Sequence, residues 1–237
     1  LTRGTLNLSS TEFGSLGALA IGRDGGQGAL NVSNDATVNV DGRSIVGWGG
    51  SGELNLTGTG NYTALTDGMW IGREHGTGVV TVGSGGGNLT VNELALGSGG
   101  WGGSGLVNQH GGTVTAANLH LGIESSANRG VYNLNAGTLQ VNGLGEIGRD
   151  GGQALMYVKG GATYNNTGAI ELGRGGDGFF GVLNLESSTS VVNVGTTLNV
   201  NSSGILQGRG TVTGQTKLIG GEIRPLDLSL DRLDVAG

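Results

Sequence analysis

The sequence has no cysteine and a single proline, Pro225, set against 54 glycines in 237 residues. The missing cysteine excludes a disulfide framework and thiolate ligation of zinc. No stretch repeats apolar residues at i, i+3, i+4, and so much glycine opposes helix formation, so a helical architecture is excluded. No run of 18 apolar residues offers a membrane-spanning helix. Basic residues are also scarce, 12 Lys and Arg against 18 Asp and Glu, a net charge of −6. That balance speaks against duplex nucleic acid as a partner, because phosphate neutralisation needs a basic surface. His75, His110 and His120 have no partner at metal-ligand spacing, so neither a metal nor a cofactor is expected.

What is present is a period. An Ile, Leu or Val followed by glycine recurs at Gly22, Gly47, Gly72, Gly97, Gly122, Gly148 and Gly173, in steps of 25 residues with one step of 26. The phrase IGRDGGQGALNV at 21–32 returns as IGRDGGQALMYV at 147–158. Each unit holds three short runs of alternating polarity, such as ALNV, ATVNV and SIVG within 29–47, bounded by Gly, Asn, Asp and Ser. One such unit cannot bury its apolar side alone and must stack on its neighbours. The expectation is an all-β fold, a right-handed parallel β-helix (β-solenoid) with about 25 residues and three short strands per coil. Eight or nine coils at a strand spacing of about 4.8 Å give a rod on the order of 40 Å long.

Alternation also assigns the faces. In the first strand of successive coils the outward residues are Asn7, Asn31, Asn55, Thr81, Asn108, Asn133, Tyr157 and Asn184. The second strand presents Asn39, Thr90, Thr115, Gln140, Asn165 and Asn193. Stacked amides of this kind hydrogen-bond along a rod and stabilise it. They also form an uncharged surface suited to a second copy or a glycan. Asn31, Asn55 and Asn88 fall in Asn-x-Ser/Thr triplets, which the period explains without glycosylation.

The third strand presents Ala20, Ile45, Trp70, Ala95, His120, Glu146 and Glu171. Its first four positions predict an exposed apolar patch unless a loop folds over it. Trp48 and Trp101 lie in the loops that follow, so the three tryptophans are expected along one edge. The same loops carry Arg23-Asp24, Arg73-Glu74, Arg149-Asp150 and Arg174 with Asp177, read as exposed ion pairs. Candidate binding residues are therefore Asn31, Asn55, Asn108, Asn133, Asn184, Trp70, Trp48, Trp101, Arg23 and Arg73. Glu146 and Glu171 on neighbouring coils are the sharpest catalytic candidates, at a spacing near that of retaining glycosidases. A structural charge ladder is the competing reading, and no catalytic residue is assigned. The register further predicts that Leu121→Asp prevents folding while His120→Asp is mild.

The period breaks near residue 196, dividing the chain into repeat coils at 1–195 and a shorter, irregular cap at 196–237. The opening LTRGTLNLSS is half a coil and reads as part of something longer. The terminal segment GILQGRGTVTGQTKLIGGEIRPLDLSLDRLDVAG resembles the signature at the distal end of autotransporter passenger domains. The preceding IGRxxGxGxLNV coils resemble self-associating adhesins of the AIDA/antigen 43 type. RPLDLS at 224–229 departs from the Pro-Gly usual there. The resemblance implies a passenger displayed on the surface of a Gram-negative bacterium by an outer-membrane barrel outside this sequence. It further implies adhesion, aggregation or biofilm formation, with another copy on a neighbouring cell or a host surface protein or glycan as partner. A passive stalk and a polysaccharide-active enzyme are the alternatives. In the adhesin reading, residues from about 196 onward lie nearest the membrane and assist folding.

Overall fold

The computed structural model describes residues 4–9, 12–175 and 180–235 and is built from β-strands joined in one parallel sheet, with no helix among those residues. The chain winds as a β-solenoid of about eight turns, roughly 25 residues to a turn. The first strands stack in the expected register. Asn7 pairs with Asn31, Asn31 with Asn55, Asn55 with Thr81, Thr81 with Asn108 and Asn108 with Asn133. The column continues through Tyr157, Asn184 and Gln207. Because side chains alternate across a strand, the flanking Leu30, Val32, Leu54, Leu56, Val80 and Val82 all point inward and are buried. Each such side chain contributes about 1.5–3 kcal/mol by leaving water.

Glycine sets the period through backbone contact. Gly72 has a φ of +68°, and a Cβ on it would sit 1.9 Å from the carbonyl oxygen of Ser104. Across the same corner, a Cβ on Gly105 would sit 2.2 Å from the Ile71 carbonyl. Two columns, glycine at nearly every level, thus interlock where the third strand of one coil passes the first strand of another; Ala154, between Gly130 and Gly181 in register, is the one larger residue in the Gly105 column between Gly52 and Gly204.

The coils are less segmented than the alternation predicts. Ser104–Leu121 runs through all three faces as one strand, and Arg129–Val141 joins two. Gln109, an inward amide at one bend, is wholly buried but satisfied. Its Nε2 donates to the carbonyls of Gly112 (3.2 Å) and Thr138 (2.9 Å), and its Oε1 accepts from the Tyr132 hydroxyl at 2.7 Å. Tyr62 and Tyr164 are likewise internal, their hydroxyls bonded to Ser44 Oγ and Asn166 Oδ1. Burial pushes all three phenols well above their ordinary value and keeps them neutral.

Toward the C-terminus the coils change length. Glu171 and its register partner Asn199 are 28 residues apart, and Asn199 and its partner Lys217 are 18 apart. The strand Val191–Asn201 spans position 195, with a register shift against the next coil between Asn193 and Thr197.

Candidate functional site

The third corner of the solenoid, where each third strand turns into the next coil, gathers most of the chemistry. Arg23 pairs in register with Trp48, and Trp48 with Arg73. The Arg23 guanidinium lies over the Trp48 ring, 4.2 Å from its centre. Trp70 carries two, Arg43 at 4.1 Å and Arg73 at 4.9 Å. Each such contact contributes about 0.5–1 kcal/mol at an exposed site. The indole N–H groups are used as well: Trp48 Nε1 donates to Glu74 Oε2 and Trp70 Nε1 to Glu93 Oε1.

This arrangement corrects the expected apolar patch. Ile45 is 4% exposed and Ala95 is 0% exposed. Trp70 stands in register between them. Trp48 and Trp70 are only half-buried, yet their faces are occupied by arginine. Trp101 alone is open, 68% exposed, with its ring 6.4 Å from that of His75 and 9° from parallel.

The loop ion pairs form as expected where they are described. Arg23 Nε lies 3.1 Å from Asp24, Arg73 Nε 3.3 Å from Glu74 and Arg149 Nε 2.9 Å from Asp150. The expected Asp177 partner of Arg174 lies outside the described residues. Among the described residues Arg174 reaches Glu146.

Farther along the same face, Glu146 and Glu171 are register partners on neighbouring coils. The Glu146 side chain is 0% exposed and is held by His120 Nδ1 at 2.8 Å, Arg149 Nη1 at 2.7 Å and Arg174 Nη1 at 3.4 Å. Burial on its own raises this carboxyl. The hydrogen bond from His120 and the charges of Arg149, His120 and Arg174 outweigh burial and hold it below its ordinary value. Glu171 is bound differently, accepting from Asn199 Nδ2 at 2.6 Å and Asn201 Nδ2 at 2.8 Å. Both oxygens of each carboxylate are engaged by protein groups, and Glu146 faces no solvent. The geometry is that of a clamp across coils.

The amide columns on the other faces are bonded along the rod. Asn31 Nδ2 donates to Asn7 at 2.7 Å, Asn55 to Asn31 at 2.8 Å and Asn133 to Asn108 at 2.9 Å. On the second face Asn193 donates to Asn165 at 2.7 Å, beside a shallow groove of about 370 Å³ lined by Gln140, Asn165, Asn193 and Thr213 among others. A ladder amide spends one N–H and part of one carbonyl on its neighbour and keeps the rest of its capacity for the outside. Asn184 pairs in register with Tyr157 and Gln207, so the first-face ladder is interrupted there.

Sequence reasoning missed Asn128. It is wholly buried and braces the Trp101 loop from the next coil. Its position 25 residues after Gly103 is the signal that was there to be read. No known protein family, curated protein or solved structure matches this chain.

Proposed function

We propose that this chain is the adhesive part of a surface-displayed autotransporter-type passenger, in which rods associate sideways through their polar ladder faces. The observation that carries this reading is the in-register amide column Asn7, Asn31, Asn55, with Asn108 and Asn133 farther along. It repeats an uncharged donor and acceptor once per coil, so a second rod of the same period meets many at once. Single amide contacts in water contribute about 1 kcal/mol or less. Their number supplies avidity without strong affinity, which suits reversible clumping. The terminal segment resembling autotransporter passengers supports the same reading, and the β-solenoid fold is compatible with it.

The test is cell clumping. Cells displaying the segment are mixed with non-displaying cells, and self-association gives aggregates of displaying cells only. The charge variant is chosen from the ladder geometry. Asn7 and Asn108 accept from the next coil, so Asp at either keeps the bond it accepts. Asn7, Asn108 and Asn184 changed together to Asp should suppress clumping by like-charge repulsion and leave the rod folded. Clumping that survives this variant but disappears in moderate salt would move the contact to the Arg-Asp loops and overturn the ladder reading.

A further inference from the structure

We propose that Trp101 and His75 form a ring-stacking platform for a neutral pyranose residue of an oligosaccharide, a site separate from the ladder faces and not dependent on their role. The starting point is an imbalance among the tryptophans. Trp48 and Trp70 have arginines on their faces and carboxylates on their N–H groups, whereas Trp101 is 68% exposed. An open indole on a glycine loop would ordinarily belong to a flexible tip.

This loop is braced. The Asn128 side chain, 0% exposed, donates Nδ2 to the Gly99 carbonyl at 2.8 Å and accepts from the Gly103 N–H at 2.7 Å. It therefore closes both ends of the segment that carries Trp101. Glu124 Oε2 accepts from the Gly99 N–H at 2.9 Å. His75 is tied to the same loop, its backbone N–H donating to the Gly102 carbonyl and its ring lying parallel to the indole. A buried amide thus fixes the backbone on which an exposed ring is displayed, and ordering is complete before any ligand arrives.

The chemistry of the platform selects the ligand. An indole face is electron-rich, and a pyranose presents to it a flat set of C–H groups bearing slight positive charge. Sugar hydroxyls at the rim need acceptors, and Glu74 and Glu124 stand on either side of Gly99. A carboxylate can accept more bonds than these two receive from the protein. Glu74 is paired with Arg73, so the exposed Glu124 carboxylate is the charge that disfavours sialylated or sulfated sugars. A protein partner is less well matched, because the loop Gly99-Gly100-Trp101-Gly102-Gly103 brings no apolar side chain of its own to form the rim that shields an interface hot spot.

Binding of the purified chain to immobilised neutral oligosaccharides built on glucose, galactose, mannose or N-acetylglucosamine tests this, with sialylated and sulfated glycans as the acidic arm. Retention on at least one neutral glycan is expected, weakened about tenfold or more in Trp101→Ala and only in part in Trp101→Phe. In the unaltered protein the bound sugar should shield tryptophan fluorescence from acrylamide, a readout independent of any variant's folding. The Asn7, Asn108 and Asn184 to Asp variant should bind sugar normally, which separates this site from rod association. Absence of neutral-glycan binding, preference for the acidic arm, or equal binding by Trp101→Ala overturns the proposal. So does a loss of rod association in Trp101→Ala, measured by sedimentation, without any glycan binding.

Discussion

Arg149 Nη1 donates to Glu146 Oε2 at 2.7 Å across a carboxylate that has no solvent exposure of its own. With His120 from the preceding coil and Arg174 from the following one, the contact ties three coils through a single anion. The clamp is asymmetric, since the arginines reach water and Glu146 does not. Its loss strands the carboxylate's partners only partly, because water can take over at the arginines.

Glu146→Gln should therefore destabilise the fold by about 1–3 kcal/mol. The pH dependence follows from a folded-state pKa held below the ordinary 4.5. Stability from this group is fully present above 4.5 and is lost as pH falls through the lowered folded value. Urea unfolding of the two proteins at falling pH should show their difference shrinking below pH 4.5. A difference that stays constant would mean that Glu146 is not an anion in the folded rod.

Gly72→Ala should be among the most damaging single substitutions outside the apolar core. It combines a φ of +68° with a Cβ 1.9 Å from the Ser104 carbonyl, so both strain and collision oppose it. A loss of more than about 3 kcal/mol is expected. Gly160→Ala, with no atom within 4 Å of its added Cβ, is the control. Thermal unfolding of the pair checks whether the corner requires glycine.

Leu121→Asp places an unpaired carboxylate between coils, and protease resistance should be lost. The outward control cannot be His120, contrary to the sequence expectation, because Asp there would face Glu146 in place of the imidazole that binds it. Thr115, between Thr90 and Gln140 in register, is the suitable position. Thr115→Asp should resist protease as the unaltered protein does.

Asn128→Ala should release the Trp101 loop while leaving the coils intact. Its amide holds Gly99 and Gly103 from a fully buried position, so the cost is about 1–3 kcal/mol. Hydrogen exchange at the Gly103 amide should quicken, and that at Val107 in the adjoining strand should stay slow. Equal protection at Gly103 in both proteins would show that the loop is held by other contacts.

The coil was legible because two demands repeat in nearly every unit of the sequence, with Gln109 and Ala154 as departures. Inward positions such as Leu54 and Leu56 must be apolar, and corner positions such as Gly72 must lack a side chain. The ladder Asn31–Asn55 was legible for the same reason. What escaped were side chains that cross from one coil to another. Ile45 occupies an outward position by alternation and is nonetheless buried, with Trp70 as its register partner on the next coil and two arginines over that indole. Register brought Glu146 and Glu171 together correctly, but the lengthened coil after Glu171 delivers Asn199 and Asn201 to it, and a 25-residue period does not contain that shift.

The interlocked glycine corners also give the rod a mechanical character. Backbone hydrogen bonds between coils run along the axis, and a tension applied to the two ends of the chain loads the outermost coil before any other. Unravelling one coil of roughly 25 residues releases about 80 Å of extended chain while the remaining stack stays closed. Under load the molecule lengthens coil by coil, and each step dissipates work that would otherwise fall on whatever contact holds the far end.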